Sequence, residues 1–216
     1  MIQSNPFRDI PVPKDIEVFV DDDDYEIDEN IQSFTFDEIN ELIHKVTGYM
    51  KNFIGIASRT GIRPGELVAL RWVDVDFDNE IIKIRKTRVE GKNGPPKKQA
   101  SARKIEMIPR VKDFFLNQYE LTGSEKSDVF LNSSKKPFYS HDIIAKKFKS
   151  LLNDGDDRYL YHLRHSFASL MISEGEDILW VSRMLGHKNT DITLKLYAKA
   201  YKLFNDKIGV KQELYS

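Results

Sequence analysis

Residues 161–171 read Tyr-His-Leu-Arg-His-Ser-Phe-Ala-Ser-Leu-Met and predict an amphipathic helix over residues 161–174. One side of that helix is apolar at helical spacing, through Leu163, Phe167, Leu170 and Met171. Tyr161 and Arg164 are three residues apart and share a face, whereas His162 points almost the opposite way. His165 follows Tyr161 by four residues and can join the same face. The stretch therefore predicts a helix that presents an arginine beside a tyrosine.

Two other stretches place basic side chains next to helix ends. Arg63 follows a glycine turn in Thr60-Gly-Ile-Arg-Pro-Gly-Glu-Leu67 and begins a short helix, whose free N–H groups favour a phosphate. Glu66, three residues on, can orient the Arg63 guanidinium, although a surface Arg–Glu pair is the alternative interpretation. Gly186 ends a predicted helix and leaves His187 in a turn, where it can donate to a phosphate oxygen. A partly buried imidazole bonded to the backbone is the alternative for such a histidine.

Tyr197 lies about two turns into a further predicted helix, ten residues beyond His187. Arginine forks bind non-bridging phosphate oxygens in pairs, and a tyrosine oxygen beside them can attack the phosphorus. Taken alone, however, a tyrosine usually packs its ring and leaves its hydroxyl in water. Whether these residues converge decides between the two interpretations.

The periodicity of the whole chain predicts a mainly α fold with a small antiparallel three-stranded β-sheet. The first helix begins near Thr35, where Glu38 completes a capping box. Further helices are predicted over residues 49–59, 64–70, 110–121, 141–152, 161–174, 177–185 and 189–199. Strands are predicted over residues 72–77, 81–84 and 104–108, with a long loop over residues 90–100.

Composition and charge describe a chain of 216 residues without cysteines, with a net charge of −1. Residues 1–50 contain 13 acidic and 3 basic residues, a net charge of −10. The remainder of the chain contains 21 acidic and 30 basic residues, a net charge of +9. A basic body can bind a polyanion, and two solvated faces of opposite sign are the alternative. Residues 1–34 are predicted to be an acidic linker. There is no apolar run of the roughly 20 residues that cross a bilayer, so a cytoplasmic location is predicted.

In this order, the segments resemble the catalytic domain of the tyrosine recombinase (phage integrase) family. The matches are Thr60–Leu67, Leu163–Ser169, Leu185–His187 and a tyrosine ten residues later, and they cover roughly residues 36–200. The resemblance implies that Arg63 and Arg164 clamp the phosphate. His187 resembles the family's second histidine position, and Tyr197 its nucleophile.

The family also places a catalytic lysine in the hairpin between the second and third strands. Lys97 is the best match, with Lys98 and Lys92 as alternatives. One position departs from the family pattern His-x-x-Arg, because Tyr161 stands where the histidine is usual. A neutral tyrosine can donate to a phosphate oxygen but is a poor base. Either Tyr161 makes that phosphate contact, which we favour, or the helix begins irregularly and His162 reaches inward.

The resemblance implies a site-specific DNA recombinase that cleaves and rejoins strands through a 3′-phosphotyrosyl intermediate. The alternatives are relaxation of supercoils, as by type IB topoisomerases, and a DNA-binding regulatory relative with weakened catalysis. The implied partner is double-stranded DNA, bound by a tetramer that is monomeric when free, with accessory DNA-bending proteins as further partners. No cofactor is implied. We expect a catalytic domain over residues 35–200, a tail over 201–216 that docks on a neighbouring protomer or frays, and a bacterial or phage-encoded protein of the nucleoid.

Overall fold

The computed structural model describes residues 33–95, 102–123 and 128–187, in which seven α-helices and five short strands form. The helices are α1 (Phe36–His44), α2 (Gly48–Thr60), α3 (Pro64–Val68), α4 (Pro109–Thr122), α5 (Asp142–Lys149), α6 (His162–Ser173) and α7 (Ile178–Leu185). The strands are β1 (Val75–Asp76), β2 (Ile81–Ile84), β3 (Thr87–Val89), β4 (Lys92–Gly94) and β5 (Arg103–Glu106). This mainly helical composition confirms the predicted fold class.

Capping residues begin α1 and end α2 and α7 where the sequence predicts. The Thr35 hydroxyl accepts from the backbone of Glu38 at 3.2 Å, and the Glu38 carboxylate accepts from the backbone of Thr35 at 2.7 Å, which completes the capping box of α1. Gly61 ends α2 and Gly186 ends α7, with φ of 63° and 71° respectively. Both glycines adopt the left-handed conformation that other residues rarely accept.

The predicted three-stranded antiparallel sheet is confirmed, with the order β1-β2-β5. Ile82 of β2 lies opposite Val75 of β1 on one side and Ile105 of β5 on the other. All three of these side chains are buried, so this face of the sheet packs on the core. The first predicted strand was too long, because Trp72–Asp74 form a turn of 3-10 helix and only the next two residues pair.

The long loop predicted over residues 90–100 is wrong in its first part. β3 and β4 form a second, two-stranded antiparallel sheet that the loop prediction missed. Its turn is made by Glu90 and Gly91, with φ of 47° and 74°, the positive values that tight hairpins require. Glu-Gly is a weaker hairpin signal than Asn-Gly or Asp-Gly, and the strands are only three residues long.

Helix α2 lies at the centre of the core and sets the position of the site. Its buried residues include Met50, Phe53, Ile54, Ile56 and Ala57. α2 packs against α4 on one side, where the Phe114 ring fills the space beside Gly55, and against α6 on the other. The end of α2 and the first turns of α6 therefore meet inside the domain.

No helix within the three described ranges is long and apolar enough to cross a membrane. Several predictions lie outside the described residues. They are those for Lys97 and Lys98, the helix over 189–199 with Tyr197, the tail over 201–216, and the leader apart from its last two residues. Of those two, Phe34 is buried, and its backbone N–H donates to the Ser166 hydroxyl of α6 at 2.7 Å.

Candidate active site

Arg63 lies at the start of α3, directly after the turn that ends α2. The Gly61 N–H donates back to the carbonyl of Ala57 at 3.0 Å, and Gly61 turns the chain out of the helix. The residue before a proline avoids the helical conformation, and Arg63, which precedes Pro64, is extended with ψ of 142°. Its side chain is partly exposed, with 19% of its surface accessible. Arg63 is therefore held by the backbone at a point where its guanidinium can meet a ligand.

Glu66 is a buried carboxylate that binds two arginines. Its side chain is 1% exposed and accepts from the Arg63 backbone at 3.1 Å and from the Arg63 guanidinium at 3.4 Å. Arg103 donates to both carboxylate oxygens, at 3.0 and 2.9 Å. Burial by itself raises the pKa of Glu66, but Arg103 and then Arg63 and Arg164 outweigh it and hold the pKa below its ordinary value. The predicted contact between Glu66 and Arg63 is thus present.

Arg164 is buried in α6 and joins the ends of two other helices. Its guanidinium donates to the carbonyl of Gly61, after α2, and to the carbonyl of Leu185, at the end of α7, the latter at 2.7 Å. Helix C-termini carry partial negative charge, which favours a cation there. Burial and then the charge of Arg63 lower the pKa of Arg164 to about 9, so that the group stays charged at neutral pH.

His187 follows the glycine turn at the end of α7, beside the Leu185 carbonyl that Arg164 binds. Its backbone N–H donates to Ser182 at 3.1 Å, which continues the helical turn past Gly186. Burial, followed by the charges of Arg164, Arg63 and Arg103, lowers the pKa of His187 to about 2. At neutral pH the imidazole is therefore uncharged, with one nitrogen that donates and one that accepts.

Tyr161 and His162 divide the first turn of α6 as the helical spacing predicts. The His162 ring turns back to the preceding segment, where its Nδ1 accepts from the Tyr159 backbone at 3.0 Å. The Tyr161 hydroxyl is buried and has no hydrogen-bond partner among the described residues, and its ring lies 5.3 Å from that of His165. Arg164 follows three residues on, and its backbone N–H donates to the Tyr161 carbonyl at 3.0 Å. Of these two side chains, Tyr161 is therefore the one whose polar group has no hydrogen-bond partner within the described ranges.

Arg103 is a residue of the cluster to which the sequence analysis assigned no role. It begins β5, and its Nε donates to the carbonyl of Met184 in α7 at 2.7 Å. No local spacing announces these contacts, because its partners Glu66 and Met184 are 37 and 81 residues away. Of the lysine alternatives, Lys92 is exposed on β4.

Known proteins place this arrangement in one family. The model of the phage integrase family matches residues 32–203. The prophage integrase IntR of Escherichia coli (strain K12) is 26% identical over 195 residues, covering 78% of this chain and 47% of that protein. A XerC-like tyrosine recombinase of Caldanaerobacter subterraneus subsp. tengcongensis is 26% identical over 200 residues, covering 79% and 51%. The chain spans about half the length of these curated relatives.

Solved structures agree in fold. The integrase of the Tn1549 transposon, in complex with circular intermediate DNA, superposes with a TM-score of 0.66 at 21% identity, covering 82% of this chain and 67% of that one. XerA recombinase superposes with a TM-score of 0.65 at 22% identity, covering 82% of this chain and 63% of that one. A lambda integrase tetramer bound to a Holliday junction superposes with a TM-score of 0.55 at 18% identity, covering 74% of this chain and 47% of that one. Because the family model matches residues 32–203, which is most of this chain, the chain belongs to the phage integrase family.

Proposed function

We propose that this chain is the catalytic part of a site-specific DNA recombinase, which cleaves and rejoins DNA strands through a 3′-phosphotyrosyl intermediate. The observation that carries the proposal is a cluster in which Glu66 binds Arg63 and Arg103, while Arg103 and Arg164 bind the neighbouring carbonyls of Met184 and Leu185, just before His187. Three positive charges and one negative charge leave a net charge of +2 on these groups. An anionic phosphodiester is the ligand that such a cluster suits.

The proposed roles follow from what each group can donate. Arg63 and Arg164 bind the non-bridging phosphate oxygens, on which charge grows in the transition state. The neutral His187 donates one N–H to the same oxygens. Tyr161 contributes a buried hydroxyl donor in place of the usual histidine, because a phenol hydroxyl can donate to a phosphate but is a poor base at neutral pH.

Tyr197 is the proposed nucleophile. The Tyr197 hydroxyl loses its proton to the surrounding water, and its oxygen forms a bond to phosphorus while the bond from phosphorus to the 5′-oxygen breaks. Lys97, with Lys98 and Lys92 as alternatives, gives the leaving 5′-oxygen a proton as general acid. A 5′-hydroxyl from a second strand then attacks the phosphotyrosine, which restores the phosphodiester and frees Tyr197. The bond energy is kept in the covalent intermediate, so strand exchange needs no ATP.

The proposed partner is double-stranded DNA, since DNA is the ligand named for the transposon integrase of similar fold. A tetramer is named for lambda integrase on a Holliday junction, and this supports our proposal of a tetramer as the active assembly. We further propose that it forms on DNA from monomers and that accessory DNA-bending proteins assist it. We propose residues 35–200 as the catalytic domain, residues 1–34 as an acidic linker and residues 201–216 as a tail that docks on a neighbouring protomer. The proposed location is the bacterial cytoplasm, at the nucleoid.

Trapping the covalent intermediate tests the proposal. The 216-residue chain is incubated with a library of nicked duplexes of random sequence, in which cleavage beside the nick releases a short strand and prevents rejoining. We expect a protein–DNA adduct that survives denaturation. Tyr197→Phe should abolish it, and the matched change Tyr201→Phe should not. An adduct undiminished in Tyr197→Phe would contradict the nucleophile assignment, and no adduct with the unchanged chain would contradict the activity.

A further inference from the structure

We propose that Arg103 is a positioning residue that holds Arg63 and the His187 turn in one fixed arrangement. The inference rests on the proposed function, because the two groups it aligns are those assigned to the phosphate. Arg103 itself begins a strand, whereas Arg63 begins a helix and His187 follows another. Its guanidinium is the group that connects these three elements.

The first connection runs through Glu66 to Arg63. Both oxygens of the Glu66 carboxylate receive a short hydrogen bond from Arg103, at 2.9 and 3.0 Å, while the Arg63 guanidinium is farther away, at 3.4 Å. Charge-assisted bonds of the shorter length, made in a two-pronged geometry, are the stronger ones. Arg103 therefore fixes the carboxylate, which in turn receives the Arg63 backbone N–H at 3.1 Å.

The second connection runs to the end of α7. The Nε of Arg103 donates to the Met184 carbonyl at 2.7 Å, next in the chain to the Leu185 carbonyl that Arg164 binds. A Cβ built on Gly186 would lie 2.8 Å from the Arg103 side chain, so the glycine turn rests directly on this arginine. His187 is the next residue, and its position depends on that turn.

Arginine suits this role for a geometric reason. The planar guanidinium presents five donors in a rigid fork, so it can bind both oxygens of a carboxylate and a carbonyl at once. Lysine keeps the charge but presents a single ammonium, which cannot reproduce the fork. The side chain of Arg103 is 7% exposed, and that of Glu66 is 1% exposed, which shields the pair from competing water.

Arg103→Lys tests the proposal, with Arg88→Lys as the matched control. Arg88 is likewise buried, pairs with Asp128 at 2.7 Å and donates to the Val68 carbonyl at 3.1 Å. The control thus removes a buried guanidinium that binds a carboxylate and a carbonyl, as Arg103 does, but that does not link Arg63 to His187. The measured quantities are the thermal unfolding temperature and the rate of adduct formation on a nicked duplex trapped from the random library.

We expect Arg103→Lys to slow adduct formation roughly 100-fold, the scale on which a displacement of about 1 Å acts. Arg88→Lys should lower the unfolding temperature by a similar amount yet leave the rate close to that of the unchanged chain. A wild-type rate in Arg103→Lys would overturn the proposal. Equal rate losses in both variants would also overturn it, because Arg103 would then act only through stability.

Amide hydrogen exchange provides a readout that does not require activity. In Arg103→Lys the backbone N–H groups of Arg63 and His187 should lose protection by about tenfold, while those of α1 keep theirs. Unchanged protection would overturn the positioning role even if no adduct ever forms, which separates this failure from that of the proposed function. Should Arg103→Lys not fold, Glu66→Gln removes the charge that binds Arg103 and is expected to show the same loss at His187.

Discussion

Gly61→Ala is expected to destabilise the domain and to weaken the anchor of Arg164. Gly61 has a φ of 63°, and a Cβ added there would lie 2.6 Å from the Leu185 side chain and 2.7 Å from the Phe167 ring. Both neighbours are buried in the core and have little room to move. The same residue offers the carbonyl to which the Arg164 guanidinium donates.

Two costs add at this position. A residue with a Cβ in the left-handed conformation costs about 1–2 kcal/mol, and forcing a methyl group into a packed core costs about 1–3 kcal/mol more. Gly48→Ala isolates the first cost, because Gly48 has a φ of 58° and nothing lies within 4 Å of its added Cβ. We therefore expect Gly61→Ala to lose about 1–3 kcal/mol more than Gly48→Ala.

Urea unfolding of the two variants measures the free energy of unfolding, provided that the m-value stays that of the unchanged chain. Adduct formation is measured on the same samples at a temperature where both are folded. Gly61→Ala should be slower, since a shift of its carbonyl displaces Arg164, whereas Gly48→Ala should not be. Equal losses of stability in the two variants would refute the packing argument, and equal rates of adduct formation would refute the link to Arg164.

Two further predictions concern single side chains of the site. Tyr161→Phe removes a buried hydroxyl that has no partner among the described residues, so it should raise the free energy of unfolding by about 1 kcal/mol while it slows adduct formation; a loss of stability in urea would contradict this. The pKa of His187, lowered from 6.5 to about 2, means that the unfolded chain takes up a proton below pH 6.5 that the folded chain does not. Stability present above pH 6.5 is therefore lost as the pH falls, by up to about 1.4 kcal/mol per pH unit. His187→Asn should make the free energy of unfolding depend less steeply on pH. The same pH dependence in the unchanged chain and in His187→Asn between pH 7 and 5 would count against this.

Local chemistry explains why the helices could be predicted. The capping box at Thr35 and the glycine stops at Gly61 and Gly186 depend on residues a few positions apart, so the sequence displays them directly. The hairpin of β3 and β4 escaped prediction because its strands are short and its Glu90-Gly91 turn is an uncommon signal. The 3-10 turn at Trp72–Asp74 likewise replaced half of a strand that alternation alone had predicted.

The sequence by itself determined the family resemblance, the helical frame and four described members of the proposed site, because each stands in a local motif: Arg63, Tyr161, Arg164 and His187. Helical spacing alone also separated Tyr161 from His162, whose ring turns to the Tyr159 backbone. Only the tertiary structure decided what connects these residues. Arg103 reaches Glu66 and Met184 across 37 and 81 residues, and Arg164 reaches Gly61 across 103. Such contacts exist because burial brings helix ends together around charged groups that must be paired there, and no spacing along the chain records that need.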